Sequence, residues 1–166
     1  MNDPLFKHGK GWIHYANRID AEYLSSRLRE SDREEIWLSH KQKPKQSLLI
    51  GLETSLICFT GFYRFHPFFM AGIVTDLQQP NTGLIWLLGT DRIRTCPKTF
   101  YGLTYQLLHY FFWIYPTLYN YVYEHNSQTL NWLAHLGAEF SESFPHGEQK
   151  KPFRKFTLKQ GEVPHV

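Results

Sequence analysis

The chain has only two cysteines in 166 residues, Cys58 and Cys96. They lie too far apart for a metal-binding pair and are too few for a disulfide framework, so a reduced, intracellular setting is expected. Neither has a base beside it in sequence, which leaves a Cys–His nucleophile without support. Long apolar runs are missing too. No stretch reaches the ~18 residues of a membrane-spanning helix, and residues 1–11 lack an apolar core of signal-peptide length. Charge is sparse: Asp, Glu, Lys and Arg make up 20% of the chain, against a usual ~25%. The formal net charge of +3 is too small to argue for nucleic acid by itself. Nine histidines would add positive charge on mild acidification. Neither His8 with His14 nor His135 with His146 has the company a metal site needs. Internal repeats and linkers are absent.

What is present is apolar and aromatic, at 42% and 17% of residues, enough for one globular domain. Residues 1–11 read as a loose arm, 12–160 as a single domain and 161–166 as a tail. Alternation through Trp12, Ile13, His14, Tyr15 and Ala16 predicts a first strand over 12–19. Asp20 suits the N-cap of a helix over 21–29. Ser31-Asp32-Arg33-Glu34 reads as a capping box opening a helix that carries Ile36, Trp37 and Leu38. Pro44 fits the first turn of another, over 45–54, with Leu48, Leu49 and Leu52 on its apolar side.

The centre changes period. Residues 56–62, 67–75 and 84–89 are short, β-branched and aromatic, and turn chemistry separates them, which predicts a three-strand meander. Pro97 then opens a long helix with Phe100, Leu103, Leu107, Phe111 and Ile114 at helical spacing, and Pro116 ends it. Its aromatic character on more than one face predicts deep burial. Residues 118–123 form a strand with Tyr119, Tyr121 and Tyr123 on one face. Asn126 or Ser127 caps a last helix over 128–135, and Gly137 stops it. Two tail strands, 139–144 and 153–158, meet at Pro145-His146-Gly147. This order predicts an α/β (α+β) domain with a crossover, some parallel pairing and a central mixed sheet of about six to seven strands.

That order resembles the GNAT acyltransferase fold. The stretch Leu118-Tyr119-Asn120-Tyr121-Val122, through Asn126 to Leu136-Gly137-Ala138-Glu139-Phe140, resembles the fold's fifth strand and following helix. Trp86-Leu87-Leu88-Gly89-Thr90-Asp91, Tyr115-Pro116-Thr117-Leu118 and the early Arg29-Glu30-Ser31-Asp32-Arg33-Glu34-Glu35-Ile36 are similar to the internal virion protein A family of short-tailed phages.

The GNAT resemblance implies a grip on acetyl-CoA pyrophosphate by backbone N–H groups at a helix N-terminus, where close approach needs glycine. Here the corresponding segment, Arg92-Ile93-Arg94-Thr95-Cys96-Pro97-Lys98-Thr99, has no glycine, and Pro97 removes a donor. Arg92, Arg94 and Lys98, with Asn126, are the remaining candidates for holding a cofactor. The resemblance also implies a tyrosine proton donor four residues before the helix-ending glycine. Leu133 stands there and has no proton to give. Glu53, Asp91 and Glu124 are the base candidates if the chain is active, with Asp76 beside them. Solvated charge is the plain reading of each, and an Asx-type cap is the expected task of Asp91. In the tail, Lys150, Lys151, Arg154, Lys155 and Lys159 alternate with Phe153 and Phe156. An edge hairpin guarded by lysine is preferred there to a nucleic-acid stacking surface.

These readings predict a non-enzymatic phage protein on a degenerate GNAT scaffold, without a cofactor or metal. It would serve virion assembly or the internal virion content, or act on a host target. Its partners would be virion proteins or a host protein, and its location the host cytoplasm or the virion. An acetyl-CoA-dependent N-acyltransferase is the alternative, and a protein- or nucleic-acid-binding module the second.

Overall fold

The computed structural model describes residues 3–164. The β-branched and aromatic segments form nine strands: β1 (Phe6–His8), β2 (Gly11–Tyr15), β3 (Ile57–Tyr63), β4 (His66–Thr75), β5 (Thr82–Gly89), β6 (Thr117–Tyr123), β7 (Glu139–Phe140), β8 (Phe144–His146) and β9 (Lys151–Lys159). The helices are α1 (Arg18–Ser25), α2 (Glu30–His40), α3 (Pro44–Thr54), α4 (Arg92–Thr95), α5 (Pro97–Ile114) and α6 (Ser127–His135). All nine strands join one sheet in the order β1-β2-β3-β4-β5-β6-β9-β7, with β8 also on β9. The expected mixed α/β architecture holds, with two more strands than the sequence suggested. One is β1, which pairs antiparallel with β2 inside the segment read as a loose arm. The other arises because the strand expected over 139–144 is split into β7 and β8.

Neighbouring strands run antiparallel except β5 and β6, which α5 joins by a crossover. Strand alternation gives the sheet two apolar faces. Ile13, Phe59, Ala71, Ile73, Leu118, Val122 and Phe156 meet Phe100, Leu103, Leu107 and Phe111 of α5 and Leu133 of α6. Cys58 and Met70 meet Ala21, Leu24, Ile36 and Leu48 of the first three helices. Val163, in the expected tail, packs into the first of these cores.

Several helix ends differ from the sequence reading. Asn17, not Asp20, caps α1, its Oδ1 accepting from Asp20 N at 3.0 Å. The cap falls early because β2 ends at Tyr15. Helix α2 has Arg29 at its N-cap with no side-chain cap bond, so the expected capping box is not used. Pro44 and Pro97 open α3 and α5 as expected. Gly137 takes φ +85 after α6, a left-handed conformation that glycine enters freely. Gly147 takes φ +74, and a Cβ there would meet the Leu38 carbonyl oxygen, so glycine lets the β8–β9 turn sit against α2.

The aromatic core makes two substitutions diagnostic. Phe59 is buried against the rings of Phe6, Tyr15, Tyr110 and Phe111. Phe59→Ala is expected to remove about 3–5 kcal/mol in urea denaturation. Trp113, on the same helix as Phe111 but 88% exposed, should tolerate serine within about 0.5 kcal/mol.

Candidate functional site

The parallel ladder between β5 and β6 is short. It runs from Thr82, Gly83 and Leu84 against Thr117, Leu118 and Tyr119, while β5 continues to Gly89 and β6 to Tyr123. Beyond the ladder the strands part, and a cavity of about 100 Å3 lies between them. Trp86, Leu87, Leu107, Leu108, Phe111 and Leu133 supply its apolar wall, and Arg29, Asp32, Glu35 and Asn120 its polar end. Diverging strands leave backbone donors and acceptors that must find other partners.

The partners here are side chains and one backbone N–H from elsewhere in the chain. Asn120 Nδ2 donates to Ile85 O at 2.7 Å, straight across the gap. Gly89 at the end of β5 donates to Asp32 Oδ2 at 2.8 Å and accepts from Arg29 N at 2.9 Å. On the β6 side, Glu35 Oε1 accepts from Tyr123 N at 2.9 Å and from Asn126 Nδ2 at 3.0 Å. Asp32 is fixed in turn by the Arg29 guanidinium, through Nη2 to Oδ1 at 2.8 Å and Nε to Oδ2 at 3.1 Å. The start of α2 thus bridges both diverging strands. Burial pushes the Asp32 carboxyl up, against the pull of Arg29 and the Gly89 N–H. Burial lifts Glu35 to about 7, against the pull of the Asn126 amide and the Tyr123 N–H.

A second hollow of about 240 Å3 adjoins the first, lined by Arg29, Arg94, Pro97, Tyr101, Gln128 and Trp132. It lies at the N-terminus of α5, where Pro97 occupies the first turn and Cys96 gives no side-chain cap. Arg92 and Arg94 sit exposed on α4, and Lys98 is exposed on α5. These residues do not fit an acetyl-CoA grip of the family kind: one amide donor is missing, glycine is absent, and the cleft edges at Ile85, Gly89 and Tyr123 are already bonded. Leu133 is buried and lines the cleft with a methyl group where a hydroxyl would be needed.

The remaining sequence candidates lie apart from the cleft or perform structural tasks. Glu53 is exposed on α3. Asp76 accepts from Gln78 N at 2.9 Å and Tyr119 Oη at 2.8 Å, which holds its carboxyl below the ordinary value. Asp91 is exposed and makes no cap bond; Thr90 Oγ1 takes the Arg92 N–H instead, at 3.3 Å. Glu124 binds Arg154 at 2.8 Å and Ser143 at 2.9 Å, and Arg154 is the main reason its carboxyl is held low. Asn126 caps α6 through Thr129 N at 3.3 Å while its amide holds Glu35.

Strand β9 is not an edge, because β6 flanks it on one side and β7 and β8 on the other. Phe153 and Phe156 are buried and cannot stack on a base. Arg154 pairs with Glu124 and Lys159 with Glu139, and Lys155 lies 4.6 Å over the Tyr119 ring. Burial pushes the Cys58 thiol up to about 12. Among the described residues, no three His, Cys, Asp or Glu gather where a metal ion could sit. No helix there is long and apolar enough to cross a membrane.

The sequence reading missed Arg29, Asp32, Glu35 and Asn120. The first three sit in a run that looks like a solvated helix start. Asn120 carried a signal: it shares the inward register of Leu118 and Val122, so a polar group there requires a buried partner.

Two measurements test this bridge. Glu35 holds its proton more tightly in the folded chain than its ordinary value of 4.5. Its contribution to stability is therefore full below pH 4.5 and lost as pH rises through about 7. Glu35→Gln keeps an acceptor for Tyr123 and Asn126 without the charge. Its stability relative to the parent should rise by about 2–3 kcal/mol across that window in urea denaturation, at 1.36 kcal/mol per unit. Arg29→Ala leaves Asp32 buried and unpaired, and should cost about 3–5 kcal/mol at neutral pH.

No protein-family model matches the sequence, and no curated protein matches it either. Solved structures do. An N-acetyltransferase from Staphylococcus aureus Mu50 superposes with a TM-score of 0.67 at 12% identity, covering 91% of this chain and 99% of that one. The ribosomal-protein-S5-alanine acetyltransferase from Vibrio fischeri gives 0.67 at 11% identity over 96% and 98%. A Salmonella typhimurium protein solved with its cofactor acetyl-CoA gives 0.68 at 9% identity over 95% and 98%. At such identities the likeness speaks for architecture alone, and the architecture of this chain is the GNAT acetyltransferase fold.

Proposed function

We propose that the chain is a non-catalytic protein on a GNAT scaffold, whose cleft edges are bonded to other parts of the same chain. The observation that carries this reading is the bonding of the cleft edges: Ile85 O to Asn120, Gly89 to Arg29 and Asp32, and Tyr123 N to Glu35. An extended polar cofactor lying between β5 and β6 would have to displace these bonds and leave carboxylates unpaired in the interior, which is costly. Pro97 at the start of α5 and Leu133 in the cleft support the same reading. The resemblance to the internal virion protein A family supports a place in phage biology: in virion assembly, within the particle, or against a host target. Its partners would then be other virion proteins or a host protein.

The deciding experiment is a titration of the purified protein with acetyl-CoA, followed by calorimetry and by thermal shift. A ligand that binds only the native state must raise the melting temperature, and no shift is expected here up to millimolar ligand. Saturable micromolar binding would overturn the reading in favour of an N-acyltransferase that grips phosphate through Arg92, Arg94 and Lys98. The phage placement is tested separately, by mass spectrometry of purified virions and of infected-cell lysate.

A further inference from the structure

Outside the cleft lining, the end of the sheet at the β3–β4 turn carries an unusual surface. Lys7, Trp12 and Phe62 are cross-strand partners on β1, β2 and β3 and so share one face. Trp12 and Phe62 stack with centroids 5.6 Å apart and planes 3° from parallel. Phe65, at the turn, sets its edge against Trp12 at 5.2 Å and is 84% exposed. Both Arg64 (φ +47) and Phe65 (φ +69) adopt left-handed conformations that residues with a side chain enter at a cost. A large apolar ring is thus held in water by a strained turn, the reverse of what stability alone would select.

Cations lie at the same end of the sheet. Arg64 N donates to Lys10 O at 3.2 Å, which places both residues at the sheet's end. The Arg64 guanidinium lies 5.4 Å over the Tyr63 ring, and the Arg27 guanidinium 3.9 Å over Tyr23. Tyr23 in turn reaches His66, next to Phe65, at 3.4 Å. Among the described residues, Lys7, Lys10, Arg27 and Arg64 have no carboxylate partner, whereas Arg18, Arg29, Lys45, Arg154 and Lys159 do.

We propose that this corner binds single-stranded nucleic acid, with bases stacking on Phe65 and the Trp12–Phe62 pair, and phosphates meeting Lys7, Lys10, Arg27 and Arg64. Flat rings select flat partners, and unpaired cations select a polyanion; a single strand offers both along its length. A duplex hides its base faces in the stack. The site stands independently of whether the β5–β6 cleft takes acetyl-CoA.

Fluorescence anisotropy with a labelled oligothymidylate of about twenty nucleotides tests the assignment. Saturable binding is expected, weakening steeply as salt rises from about 50 to 200 mM. Phe65→Gly relieves the left-handed strain, so its melting temperature should hold or rise while affinity falls about tenfold. Lys10→Glu combined with Arg64→Glu should abolish binding, and Lys150→Glu with Lys151→Glu should leave it unchanged. The proposal is overturned by absence of binding, by full affinity in Phe65→Gly, or by a duplex of equal length binding as tightly. Polyglutamate competing as strongly as unlabelled oligothymidylate at equal charge would overturn it too, since stacking would then contribute nothing.

Discussion

Two parallel strands joined at one end and parted at the other set the constraint that shapes this protein. The divergence of β5 and β6 bares backbone groups, and a buried one left unbonded costs more than a bond gains. The chain meets the constraint with Asn120 and with the first turn of α2. Several features then follow. Asp32 turns inward to Gly89, and α2 starts at Glu30 with Arg29 at its N-cap and no side-chain cap bond. Asp32 in the interior requires a guanidinium, and Arg29 supplies it. Glu35, drawn in to serve Tyr123 and Asn126, loses hydration and resists ionisation. A buried ion pair contributes little net stability over an apolar pair, yet its geometry fixes where α2 sits on the sheet.

What the sequence made legible were features with local causes. Pro44 and Pro97 open helices because a missing N–H is harmless in a first turn. Gly137 ends α6 because a left-handed residue is needed there. The aromatic repeat of α5 and the three central strands follow from periodicity. What escaped the sequence depends on distant partners. Ser31-Asp32-Arg33-Glu34 resembles a capping box, but the helix starts earlier, at Glu30, which puts Ser31 inside its first turn. The short β1 gains its order from β2, and β9 looks like half of an edge hairpin until β6 claims its other side. The aromatic corner spans three segments, around residues 7–12, 23–27 and 62–66, so no single window displays it.

The same scaffold therefore holds two unlike surfaces. Structures with which it shares 12% identity or less superpose over most of their length. Such tolerance follows because layer packing and strand order require only apolar volume in the right period, whereas chemistry requires particular atoms. In this chain several cleft-edge groups are bonded within the chain itself, while exposed aromatic surface gathers at the β3–β4 turn.

The bridge at the cleft also bears on how the chain reaches its folded state. Its bonds join residues 57, 88 and 91 positions apart. These bonds cannot all close until β5, the α5 crossover, β6 and the start of α6 are in place. Such long-range closures come late, since loop entropy is spent before the contacts form. Until then β5 and β6 present bare edges, the part of the folding chain most open to pairing with a neighbouring molecule.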